Sequence, residues 1–129
     1  MSLKIGSLTI DCHDPRAVAN FWLAALPGEV TYEDDEAGEI VVDFEATSGS
    51  MRVLFYKVAD DKQVKNRLHL DLIPEDQDAE VKRLMKLGAK KIDIGQRDVS
   101  WVVMADVEGN EFCVLVPDED DDEEEEDDE

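Results

Sequence analysis

The chain holds two histidines and two cysteines, and chemistry near neutral pH would start from these. His69 carries an imidazole that ordinarily titrates near neutrality, and Asp71 follows two residues later, so on an extended strand both project to one side. A carboxylate beside an imidazole raises its basicity and orients the ring, which is how a general base for proton abstraction next to a carbonyl is built. The same pair also serves as plain hydrogen-bonded structure. Cys113 lies among Phe112, Val114 and Leu115, an apolar setting that raises a thiol's pKa and quiets it as a nucleophile. Cys12 and Cys113 make no CxxC pair and no disulfide framework, so both are expected reduced. His13, just before a helix start, is expected at the surface.

The elements that must position these groups can be read from periodicity. Lys4 to Cys12 alternates, with Leu8, Ile10 and Cys12 on one face and Ser7, Thr9 and Asp11 on the other. Asp14 caps a helix with Pro15 at its first position, Val18, Phe21, Trp22 and Ala25 form the apolar stripe, and Pro27 and Gly28 stop it. Glu29 to Tyr32, Glu39 to Phe44 and Met51 to Lys57 follow as strands. The second half repeats the order. Arg67 to Leu72 alternates, Pro74 to Asp78 opens a helix with the stripe Val81, Leu84 and Met85, and Lys91 to Ile94, Trp101 to Ala105 and Glu111 to Val116 are strands.

Each half is therefore βαβββ, an α+β class. Leu8 and Leu68, Asp11 and Asp71, Gly28 and Gly88, and Gly49 and Gly109 all differ by 60 positions, as an internal duplication requires. The helix caps Asp14 and Asp76 differ by 62, a slip that fits a small insertion between strand and helix. A helix covers one side of a sheet. Leu8, Ile10, Cys12, Leu68, Leu70 and Leu72 should pack beneath the helices, leaving Ser7, Thr9, Asp11, His69 and Asp71 opposite. Polar groups there either meet bulk water or line a concave site. Trp101, Phe55 and Tyr56 are core aromatics or a stacking surface for a planar ligand. Lys65-Asn66-Arg67 either anchors an anionic group at the mouth of such a hollow or pairs with the surrounding acids. Gly109-Asn110 reads as a tight turn.

Composition bounds the partners. The 129 residues are 43% hydrophobic, enough for one domain with a core. The formal net charge is -21, and Asp118 to Glu129 is an unbroken run of twelve acids; without it, 22 acidic and 13 basic residues leave -9. Such a run repels itself and buries nothing, so residues 118–129 are expected to form a disordered tail behind a folded body of residues 1–117. The acidic surface opposes nucleic acid and anionic membranes. With no apolar leader after Met1 and no window near the roughly 20 apolar residues of a spanning helix, a cytoplasmic protein is expected.

Several segments resemble one family: Leu8-Thr-Ile-Asp-Cys-His-Asp-Pro15 with Phe21-Trp22, Lys65-Asn-Arg-Leu-His-Leu-Asp-Leu72, Leu87-Gly-Ala89 and Asp106-Val-Glu-Gly-Asn-Glu-Phe-Cys113. Together they are similar to the glyoxalase-like branch of the vicinal oxygen chelate superfamily of glyoxalases, bleomycin-resistance proteins and dioxygenases. The resemblance spans about Ile5 to Val116. It implies two modules, 4–57 and 65–116, whose mixed sheets curve around a cavity with the helices outside, commonly in a homodimer. In the superfamily's metalloenzymes a divalent ion, held from the first and last strands of each module, acts as a Lewis acid.

Carried onto this chain, the resemblance puts the four ligand positions at Ser7, Val53, His69 and Cys113. That set is a poor cage, although Asp11, Asp71 or Glu111 would add a carboxylate if turned inward. The expectation is a glyoxalase-like protein without the usual metal site and without a cofactor. It would bind a small aromatic or amphipathic molecule against Ser7, Thr9, Asp11, Val53, Phe55, Trp101, Glu111 and Cys113. The alternatives are a lyase or isomerase using His69 with Asp71, and a protein-interaction domain acting through the acidic tail.

Overall fold

The structure is a computed structural model that describes residues 5–60, 62–92 and 99–117. The chain divides into two compact units, Met1–Gln63 and Val64–Glu129, and each runs strand, helix and three strands. The α+β class and the βαβββ order read from the sequence are present in both.

In the first unit β1 (Leu8–Cys12) leads into α1 (Pro15–Ala25), followed by β2 (Gly28–Asp34), β3 (Glu39–Glu45) and β4 (Ser50–Lys57). The Asp14 carboxylate accepts from the Ala17 backbone N–H at 3.2 Å, satisfying an amide that the first turn leaves without a carbonyl partner, while Pro15 supplies a preset φ where no N–H is needed. Val18, Phe21, Trp22 and Ala25 are buried, with the Phe21 and Trp22 rings edge to face at 5.0 Å. The sheet order is β1-β4-β3-β2, with β1 and β4 parallel and the other pairs antiparallel. Ile40, Val42 and Phe44 of β3 and Val53 and Phe55 of β4 are buried at every second position, the signature of a sheet with one face in the core.

The second unit comprises β5 (Leu70–Leu72), α2 (Gln77–Lys86), β6 (Lys90–Lys91), β7 (Val102–Ala105) and β8 (Glu111–Val114). Its order, β5-β8-β7-β6, repeats the first, again with the first and last strands parallel. Asp76 caps α2 by accepting from the Ala79 N–H at 3.1 Å. This helix buries only Val81 and Leu84, and it carries Asp78 and Glu80 in its first turn with Arg83 and Lys86 in its last, a charge order that complements the helix dipole.

Three expectations change. The pairing of β5 begins at Leu70 opposite Phe112, not at Arg67. Leu68 is consequently 77% exposed and does not pack beneath the helix. Ahead of the ladder the chain is held by a side chain: the Asn66 N–H donates to the Glu111 carboxylate at 2.8 Å. Met85, expected in the α2 stripe, is 47% exposed. Lys4, the predicted strand beyond Ile92 and the acidic run 118–129 lie outside the described residues. Among the described residues no helix is long and apolar enough to cross a membrane.

Candidate functional site

In the second unit Leu70, Asp71 and Leu72 of β5 stand beside Phe112, Cys113 and Val114 of β8. Register partners share a face and successive residues alternate. Phe112 and Val114 are buried on the side that α2 covers, so Asp71 and Cys113 share the opposite side. Val103 of β7, the partner of Cys113, joins them there. His69, one residue ahead of β5, completes the group, with its Nδ1 3.1 Å from Asp71 Oδ1.

One potential donor atom from each of His69, Asp71 and Cys113 lies within 4.8 Å of the other two. His69 and Asp71 have side chains 38% and 52% exposed, whereas Cys113 is 7% exposed. The cluster thus has a wet rim and a buried thiol floor. Burial pushes the Cys113 thiol upward in pKa; the negative charge of Asp71 adds to this, Lys65 opposes it, and a hydrogen bond to the Asp71 carboxylate favours the protonated form further. At this distance from an ionised carboxylate, a neutral imidazole must carry its proton on Nδ1, which leaves the Nε2 lone pair for a proton, an ion or a ligand donor.

A set of polar contacts fixes the start of each strand in the cluster. Asp106, 4% exposed, accepts from the backbone N–H groups of Glu108 and Asn110, both at 2.9 Å, and from Asn110 Nδ2 at 3.1 Å. With Gly109 at a φ of 90°, this closes the turn that delivers Glu111 and β8. Glu111 then holds Asn66 by its N–H, Asn66 Nδ2 donates to Asn110 Oδ1 at 3.4 Å, and Lys65 Nζ donates to the Asn66 carbonyl at 3.1 Å. The chain running into His69 is thereby tied to the turn running into Cys113. Asn66 and Asp106 escaped the sequence reading as positioning residues; the Asp-x-x-Gly-Asn spacing of an Asx-closed turn was the available signal. Trp101 lies one residue ahead of β7 and is 41% exposed.

The first unit places its candidates differently. Ser7, Thr9 and Asp11 are exposed, and the neighbours of Thr9 and Asp11 on β4 are Leu54 and Tyr56. Val53 and Phe55 instead partner Leu8 and Ile10. Both belong to the core, 1% and 0% exposed, with Phe55 edge to face with Phe44 at 6.4 Å. They do not join Ser7, Thr9 and Asp11 on one wall. The cause is strand length: Tyr56 holds beside Asp11 the place that Cys113 holds beside Asp71, an offset of 57 positions, although the preceding turns at Gly49 and Gly109 are 60 apart. The first module's last strand is three residues longer over this stretch, and an odd number exchanges the two faces.

The sequence model of the glyoxalase-like domain family matches residues 7–115. No curated protein matches the sequence significantly. Among solved structures, the fosfomycin resistance protein FosX of Listeria monocytogenes, as an E126Q mutant complexed with Mn(II) and 1S,2S-dihydroxypropylphosphonic acid, superposes with a TM-score of 0.66 at 14% identity, covering 92% of this chain and 93% of that one. The trypanothione-dependent glyoxalase I of Leishmania major gives 0.64 at 16% identity over 98% and 95%. TnmS3, an antibiotic binding protein from Streptomyces sp. CB03234, gives 0.60 at 13% identity over 92% and 99%. At these identities the likeness is one of fold.

Proposed function

This chain belongs to the glyoxalase-like domain family, and on that footing we propose that it binds a small molecule at the His69, Asp71 and Cys113 cluster of its second module, without the four-donor ion site of the superfamily's metalloenzymes. The observation that carries the reading is the 3.1 Å contact between His69 and Asp71, set on the rim of a buried apolar floor. A polar pair at the edge of apolar surface is what orients a ligand whose body is largely hydrophobic. His69 offers the ligand one directed nitrogen and Asp71 keeps the ring from turning, with the buried Val103 and Cys113 behind them on the same strand face. The ligand class we propose is a small aromatic or amphipathic molecule, and TnmS3, of the same fold, is an antibiotic binding protein.

Against the usual ion site, Val53 is apolar and buried on the helix-covered face, and Ser7 offers only a neutral hydroxyl, so the first module contributes neither a histidine nor a carboxylate at the positions implied by the resemblance. A homodimer is part of this proposal, and sedimentation at micromolar concentration tests it.

The deciding experiment is thermal denaturation against a panel of aromatic acids and aromatic antibiotics. A ligand at one hundred times its Kd stabilises the native state by about 2.7 kcal/mol. The stabilising compound should lose its effect on His69→Ala and keep it on Thr9→Ala. A compound that stabilises wild type and His69→Ala equally would overturn the assignment. The same contact favours a second reading, in which Nε2 of His69 takes a proton from the carbon next to a carbonyl, as in a lyase or isomerase. It requires solvent deuterium exchange into a bound carbonyl compound, and exchange that survives in His69→Gln excludes it.

A further inference from the structure

We propose that the ligand of this site is a hydroxylated organic acid, and that Lys65 is the residue that binds its carboxylate beside His69. The inference rests on the ligand reading above and deepens it: His69 and Asp71 orient the molecule, and Lys65 selects its charge.

Lys65 lies four residues ahead of His69, on the stretch of chain that leads into β5. Its Nζ donates to the Asn66 carbonyl at 3.1 Å, and Asn66 is itself tied to the head of β8, through its N–H to Glu111 and through its side-chain amide to Asn110. A lysine stem ordinarily swings freely. This one is anchored where the approach to β5 meets the start of β8, the end of the pair at which His69 stands. Its positive charge reaches the floor of the cluster, where it opposes the upward push of burial and Asp71 on the Cys113 thiol.

Other cations of this surface are matched with acids. Arg16, Arg52 and Arg83 each pair with a carboxylate, at 2.6, 3.1 and 2.8 Å. Among the described residues the Lys65 ammonium instead meets a neutral carbonyl and no carboxylate, so donors of its N–H set remain for a ligand. The two carboxylates nearest the cluster are already engaged: Asp71 faces His69 Nδ1 at 3.1 Å and takes a hydrogen bond from the Cys113 thiol, and Glu111 accepts from the Asn66 N–H at 2.8 Å. The charge left open is therefore the positive one. A carboxylate on Lys65 gains a charge-assisted hydrogen bond at the edge of an apolar floor, where it is stronger than in open water. The neutral Nε2 of His69 accepts, so the same molecule carries a hydroxyl or similar donor near its acid.

The test measures by calorimetry, on the full chain at low salt, the affinities for hydroxynaphthoate, its primary amide and the matching hydroxynaphthylmethylamine. The acid should bind about tenfold more tightly than the amide, the scale of one hydrogen bond to a charged group, and salt should shrink its advantage. Lys65→Gln should weaken the acid about tenfold and leave the amide unchanged, while Lys65→Arg should retain most of the preference. Lys82→Gln, an equal loss of charge at an exposed place on α2, should leave both affinities unchanged. Acid and amide bound equally, the amine bound best, no binding of any of the three, or a preference that survives in Lys65→Gln would each overturn the inference. Binding that requires His69 but ignores the charge of the ligand removes this inference alone; a preference for the acid that is lost in Lys65→Gln but untouched in His69→Ala removes the reading of the preceding subsection alone.

Discussion

In the first module the parallel pair β1 and β4 sends Val53 and Phe55 into the core, and α1 adds six buried residues. In the second, the equivalent pair likewise sends Phe112 and Val114 into the core, with Asp71 and Cys113 on the opposite face, but α2 buries only two residues. The two halves match in their buried strand pairs and differ in how much the helix buries and in what the other sheet face carries: Thr9, Asp11 and Tyr56 in the first, Asp71 and Cys113 in the second. Backbone topology survives that divergence because it depends on alternation, caps and turns, which both halves retain, and not on what the uncovered face displays.

The comparison can be attacked first through the cores. Phe55→Ala and Phe112→Ala each remove a ring that is 0% or 1% exposed and should cost about 3 to 5 kcal/mol in urea denaturation; a much smaller loss for Phe112 would mean that the second half holds its core loosely. Next come the turns. Gly49 and Gly109 both have positive φ, 81° and 90°, so alanine at either should cost about 1 to 2 kcal/mol through the backbone. Gly109→Ala should in addition disturb the cluster, read as weakened ligand stabilisation, whereas Gly49→Ala should not. The caps follow: Asp14→Ala and Asp76→Ala should each cost about 1 kcal/mol, and the charge-dependent part of either loss should shrink with added salt. The smallest effect is the most discriminating. His69→Ala and Thr9→Ala each remove an exposed polar side chain at the first strand of a module, and both should change stability by less than about 0.5 kcal/mol, yet only the first should abolish ligand stabilisation.

Much of this was legible from residue order. The Asp14 cap, Pro15 and the stripe Val18, Phe21, Trp22 and Ala25 report local physics, and α1 occupies Pro15–Ala25. The pairing of His69 with Asp71 followed from a two-residue spacing on an extended segment. What failed were inferences that carried a position across the duplication by constant offset. Gly28 and Gly88, 60 apart, do different work: a Cβ on Gly28 would meet the Phe44 ring at 2.7 Å, while Gly88 carries a φ of 116°. Val53 was matched to Cys113 by the same arithmetic, and strand length defeated it. Leu68 looked like the next core position by alternation, but alternation fixes burial only where a ladder exists, and the ladder begins at Leu70.

The three surplus residues of β4 have a wider bearing. A strand is read in steps of two, so shortening Ser50–Lys57 by one or three positions would turn the whole strand inside out, bringing buried methyl groups to the surface and charged groups inward, while removal of two would only slide it. A duplicated module can therefore lose or acquire a reactive wall through a length change alone, with every amino acid around it unaltered.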